Sequence, residues 1–262
     1  MTALLLHGLG ADRRQPLELL APPLIGVDGP EVRLIATDAR AHGDSPRIGE
    51  AHDFALDRLA EEAVADALAL EPGLAEGPVT LLGISMGAAL ALRIALRGLL
   101  PVDRAVFVRP SFDDTPYPEH LRPFPVIGQL LHDRGPAAVE DFRESWHYRT
   151  VEHRSPAGAR ALLSQFGSPR AAERAVRLVE VPRNRAFSGD AELAGLPEAG
   201  IRSLVVAAER DPVHPVELGE RWAAGLRAEL VVAPPREDGI PALSARIREG
   251  VARWLEANPP RR

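Results

Sequence analysis

The chain has 262 residues with a formal net charge of -6; all 31 basic residues are arginines, and there is no cysteine. That composition excludes disulfides, a thiolate nucleophile, a Cys-ligated metal and Schiff-base lysine chemistry, and gives no electrostatic reason to expect nucleic acid or an anionic membrane as partner. The start, Met1-Thr2-Ala3-Leu4-Leu5-Leu6-His7, has no basic leader, and no apolar run reaches 18 residues, so the expectation is a cytoplasmic α/β protein with one core or a core carrying an inserted lobe.

Residues 3–6 read as a short buried strand delivering His7-Gly8-Leu9-Gly10, and residues 32–36 as a second strand ending in a polar loop that contains Asp38, His42 and Ser45. Leu56, Leu59, Ala63, Ala67 and Leu70 recur three or four apart, which predicts an amphipathic helix over 54–70. The centre of the chain follows. An apolar run from Val79 breaks into Gly83-Ile84-Ser85-Met86-Gly87 and continues as an alanine-rich helix. Glycines on either side of the serine permit a strand to turn sharply into a helix, with the hydroxyl at the tip and helix N–H groups pointing at the oxygen of whatever carbonyl it attacks. Further strands are predicted over 104–108, 202–207 and 228–232, and helices over 217–226 and 241–255. Alternation of strand and helix argues for a mostly parallel sheet covered on both faces.

Between residues 110 and 196 the alternation fails. The segment is polar and proline-dotted, with short helices predicted over 137–148 and 156–165, and a stretch of that length is expected to fold as a lobe of its own. The predicted organisation is a core of residues 1–110 and 196–262 with a helical cap, 111–195, over the C-terminal edge of the sheet. Trp146, Tyr148 and Phe142 fall in the cap, where they either line an acyl or aromatic pocket or pack between helices. Nothing has metal-ligand spacing or a dinucleotide-type glycine loop, so no cofactor and no metal are expected.

Taken together, the Gly8 loop, the Asp38 to Ser45 loop, the Ser85 elbow and the run Val205-Val206-Ala207-Ala208-Glu209-Arg210-Asp211-Pro212-Val213-His214-Pro215 resemble the α/β-hydrolase fold family. The resemblance covers everything outside the cap and implies an α/β-hydrolase fold lacking the family's first two strands. It makes Ser85 the nucleophile, Asp211 the triad acid, and the N–H groups of Leu9 and Met86 the oxyanion hole, worth roughly 3 kcal/mol per donor. It also places a histidine after the last strand, near Arg236 or Glu237. No histidine lies beyond His214.

An unassisted serine hydroxyl is a weak nucleophile, so another base is needed. Three candidates stand: His214, three residues after Asp211; Glu237, as a carboxylate base raised in pKa by Asp211; and a cap histidine, His147 or His153. His42 and His7 read as structural, His7 as a hydrogen-bonded wall of the oxyanion loop. The resulting expectation is a small-molecule serine hydrolase acting on an ester, lactone or thioester through Ser85, Asp211 and His214. The competing expectation is a protein of the same fold that binds a ligand or runs a non-hydrolytic reaction, such as a cyclisation or isomerisation.

Overall fold

The computed structural model describes residues 1–261. Six strands form one sheet: β1 (Thr2–Leu6), β2 (Arg33–Ala36), β3 (Val79–Ile84), β4 (Val102–Val108), β5 (Arg202–Ala208) and β6 (Glu229–Ala233). Their order is β2-β1-β3-β4-β5-β6, and every neighbouring pair is parallel. The helices are α1 (Arg14–Asp28), α2 (Leu56–Leu70), α3 (Met86–Leu96), α4 (Pro123–Arg134), α5 (Val139–Glu144), α6 (Trp146–Arg154), α7 (Pro156–Leu163), α8 (Val176–Glu180), α9 (Asp190–Leu193), α10 (Gly195–Glu198), α11 (Val216–Leu226) and α12 (Ile240–Ala257).

Parallel strands require helical crossovers, so both faces of the sheet are covered and successive side chains bury on opposite sides. Ala3 and Leu5 of β1, Leu82 of β3, Val106 of β4 and Val206 of β5 join Leu20, Leu24, Leu243, Val251 and Trp254 under α1 and α12. Leu4, Leu6, Leu81, Phe107 and Val205 face the other way, toward Leu59, Ala63, Leu90, Ile94 and Trp222 of α2, α3 and α11. The second cluster runs on without a break through Ile127, Leu131, Phe142, Leu162, Phe166 and Leu178 of the insertion between β4 and β5. No described helix is long and apolar enough to cross a membrane.

Three features of the fold depart from the sequence expectations. Helix α1 is not predicted, because Pro22 and Pro23 lie inside it; proline opposes a helix interior by about 3 kcal/mol, and here the burial of Leu20, Pro23 and Leu24 against the sheet outweighs it. The single helix expected over 137–148 is broken at Ser145, whose extended backbone lets its hydroxyl accept the Tyr148 N–H and start a new helix. Trp146 is thereby turned outward, 64% exposed, while Phe142 and Tyr148 are buried edge to face at 5.7 Å; the three do not form one aromatic pocket.

Because the sheet is parallel, the C-terminal ends of all its strands share one edge, and the order of strands reverses between β1 and β3, where a crevice opens. The elbow sits there. A Cβ on Gly83 would collide with the Gly87 carbonyl, and one on Gly87 with the Leu6 carbonyl. We therefore expect Gly87→Ala to destabilise the protein by roughly 1–3 kcal/mol or more, read as a lower urea midpoint at unchanged slope. An unaltered midpoint would mean that β1 and the elbow are not packed this closely.

Candidate active site

Ser85 stands alone between β3 and α3 with φ 55° and ψ -111°. A non-glycine residue held there stores strain of order 1–3 kcal/mol, and such strain concentrates at functional sites. The surrounding structure imposes it: the Ser85 N–H donates to the Val108 carbonyl of the next strand, and its carbonyl accepts the Ala88 N–H. The hydroxyl is left facing a cavity of about 230 Å³ lined by Gly8, Leu9, Arg109, Gln165, His214 and Arg236, among others.

The loop after β5 supplies two groups. The Asp211 Oδ1 accepts the N–H groups of Val213 and His214, each at 3.1 Å, which curls the chain so that the His214 ring folds back on the same carboxylate. His214 Nδ1 lies 3.0 Å from Asp211 Oδ2, and His214 Nε2 lies 2.9 Å from the Ser85 Oγ. The spacing Asp-x-x-His thus places acid and imidazole on one turn, in line with the serine. Pro212 within the turn and Pro215 directly after it limit its freedom.

Two residues from the end of β4 complete the cluster, and neither was singled out from the sequence. Arg109, at φ 50°, places Nη2 2.8 Å from Asp211 Oδ2 and 2.9 Å from His214 Nδ1. Ser111 brings its Oγ to 3.0 Å from that of Ser85. Its backbone is pinned on both sides: the Ser111 carbonyl accepts His120 Nε2–H at 2.8 Å and the Phe112 carbonyl accepts the Trp222 indole N–H at 2.9 Å. The signal for both lay in position rather than motif, since a residue just past a strand that neighbours β3 must reach the same edge.

Burial is the main influence on the two titrating groups. It lowers the His214 pKa to about 4; the Asp211 charge opposes this, and Arg109 adds to it. For Asp211 burial alone would favour the neutral acid, but the charges of His214 and Arg109 and the hydrogen bonds from the turn outweigh it and hold the carboxyl well below the usual range. At neutral pH the site is therefore a carboxylate beside a neutral imidazole.

The loop after β1, which carries Gly8 and Leu9, is held from two directions. Gln15 of α1 accepts the Gly8 N–H at 2.8 Å, and His7 bonds its neighbours through both ring nitrogens, Nδ1–H donating to the Gly8 carbonyl and Nε2 accepting the Ala39 N–H. Burial lowers the pKa of His7, and burial together with His7 lowers that of His42 well below its ordinary value. His42 Nδ1–H donates to the Arg40 carbonyl, away from the Ser85 cavity. The N–H groups of Leu9 and Met86 have no acceptor among the described residues.

The other candidate bases lie elsewhere. Glu237 accepts hydrogen bonds from the Ser155 hydroxyl and the Ala157 N–H. Burial would raise its pKa, but these bonds lower it on balance, the opposite of what a carboxylate base requires. His147 lines a separate cavity with Trp146 and His120, and His153 is exposed on α6. Arg236, not a histidine, lies on the cavity wall after β6. No group of His, Asp or Glu able to hold a metal occurs among the described residues.

The family model described as the alpha/beta hydrolase family matches residues 3–244. The chain belongs to the alpha/beta hydrolase family. Among solved structures it is similar to a thermophilic esterase from Thermogutta terrifontis, solved with malate bound, at 19% identity and TM-score 0.67 over 98% of this chain and 90% of that one. It is also similar to the enol-lactonase from Burkholderia xenovorans LB400 (18%, TM-score 0.61, 88% and 82%) and to the bottromycin epimerase BotH in complex with bottromycin A2 (21%, TM-score 0.61, 98% and 90%). At these identities the likeness is one of fold. No curated protein matches the sequence.

Proposed function

We propose that this alpha/beta hydrolase is a serine hydrolase of small carboxylic esters, lactones or thioesters, with Ser85 as nucleophile, His214 as general base and Asp211 as the orienting acid. The observation that carries the reading is the aligned contact chain from Ser85 Oγ through His214 Nε2 and Nδ1 to Asp211 Oδ2, at 2.9 and 3.0 Å. With Nδ1–H donating to Asp211, Nε2 accepts the Ser85 proton as Oγ adds to the substrate carbonyl. The Ser111 hydroxyl, donating to Ser85 Oγ, holds it toward the ring. The oxyanion goes to the free N–H groups of Leu9 and Met86, whose positions, one on the Gly8 loop and one at the first turn of α3, suit charge that develops only in the tetrahedral intermediate. His214 then protonates the leaving oxygen or sulfur, the Ser85 ester forms, and water attacks it by the same steps in reverse. The insertion acts as a cap: Phe124, Leu162 and Gln165 line the same cavity as the nucleophile.

One contact favours the alternative, a ligand-binding or non-hydrolytic protein. Arg109 Nη2 stands at 2.9 Å from Nδ1, and were it to donate there, the ring proton would sit on Nε2 and Ser85 would lose its acceptor. A fluorophosphonate probe separates the readings. Labelling at Ser85, located by peptide mass spectrometry, supports the hydrolase; a folded protein that binds small esters without labelling refutes it.

A further inference from the structure

Arg236 stands on the wall of the Ser85 cavity with its charge unmatched. No carboxylate lies within 4 Å of its guanidinium among the described residues, although acidic residues follow it directly in sequence. Those neighbours are engaged elsewhere. Glu237 takes the Ser155 hydroxyl and the Ala157 N–H, and Asp238 pairs with Arg210 at 3.2 Å. The acid nearest the cavity, Asp211, is already shared by Arg109 and His214. Burial and the like charge of Arg109 lower the pKa of Arg236, and the more distant charges of Asp211 and Glu237 offset this only in part, so the guanidinium is partly withdrawn from water without a contacting counter-charge. A cation so placed is costly to bury without a partner, and an anion entering the cavity would relieve that cost while finding a planar fork of donors.

We infer that Arg236 binds a carboxylate on the substrate, so that the preferred substrate is a short acyl compound carrying a free acid at the far end of its acyl chain, such as the half-ester of a dicarboxylic acid. The inference rests on the reading of Ser85 as the acyl acceptor. The cavity, about 230 Å³, falls below the roughly 300 Å³ at which sites for drug-sized ligands begin. That size suits a short chain. Within the cavity Arg109 is tied to Asp211 and Arg210 to Asp238, which leaves Arg236 as the arginine free to receive the acid.

The test compares a matched pair of 4-nitrophenyl esters, the hemiglutarate with its free carboxylate and the neutral valerate of equal length. Wild type is expected to favour the hemiglutarate in kcat/KM by tenfold or more. In Arg236→Gln that preference falls by about 10- to 100-fold, the range for losing a hydrogen bond to a charged group; Arg236→Lys keeps part of it, and added salt weakens it in the wild type. A wild type without preference, or a preference that survives in Arg236→Gln, overturns the inference. A second measurement stands apart from turnover: calorimetric binding of monomethyl glutarate to the Ser85→Ala protein, expected to be lost in Ser85→Ala/Arg236→Gln. Binding that is lost as expected, in a wild type that cleaves neither ester, overturns the hydrolase reading and leaves the carboxylate site standing. Equal binding to both variants overturns the site itself.

Discussion

Ser85→Ala is expected to reduce kcat for a short activated ester by about 10⁴-fold or more, and to abolish fluorophosphonate labelling, without loss of the fold. The magnitude follows from what the substitution removes and what it leaves. Losing a triad nucleophile typically eliminates all but a residual acceleration of about 10³–10⁴ over water, which the oxyanion donors and binding still supply. Here the donors at Leu9 and Met86 belong to the backbone and are untouched. Stability should barely move, because alanine has the same Cβ and remains at φ 55°; Ser85→Gly, which accepts that φ freely, should be the more stable of the two. Steady-state hydrolysis of 4-nitrophenyl esters and thermal melts of both variants test this directly. Equal rates in wild type and Ser85→Ala would remove Ser85 from the chemistry, and any remaining hydrolysis would have to arise from another group.

The sheet was legible because its evidence is local. Apolar runs of four to seven residues, separated by helical periodicity, yield strands whose positions differ from expectation by a residue or two. The elbow was legible because glycine is the only residue that fits against the Gly87 and Leu6 carbonyls. His214 was legible as the leading candidate from its spacing to Asp211, but the place of Glu237 was not. Its partners, Ser155 and Ala157, are 80 or more residues away in the insertion. Arg109 and Ser111 were invisible for a related reason. They come 24 and 26 residues after Ser85, with no motif around them, and meet it only because β4 pairs in register with β3. In a chain with so many arginines, no local signal marks the one that sits beside the acid.

The rate–pH profile should carry the mark of that arginine. For a general base only the neutral imidazole works, so kcat/KM rises with pH through the His214 pKa and then levels. With that pKa lowered to about 4, we expect the acid limb to have its midpoint near 4 and activity to be flat by about pH 6, where a solvated histidine near 6.5 would still be climbing. The groups facing the ring are Asp211, which favours its protonation, and Arg109 and His120, which oppose it. Asp211 stays ionised across this range, so the limb belongs to the imidazole. Burial, the largest cause of the lowered value, remains in Arg109→Gln; the substitution removes the opposing charge of Arg109 and should move the midpoint part of the way toward 6.5, by up to about one unit, or about 1.4 kcal/mol of differential interaction. An Arg109 that merely braced the Asp211 turn would instead lower kcat/KM at every pH and leave the midpoint in place. A wild-type midpoint already near 6.5 would mean that the ring is hydrated and free of Arg109, and the compact Asp-x-x-His arrangement would lose its claim to be the working form of the site. The physical tension is built into the arrangement: Arg109 pairs with the Asp211 carboxylate, and in doing so it disfavours the imidazolium that the proposed mechanism must form.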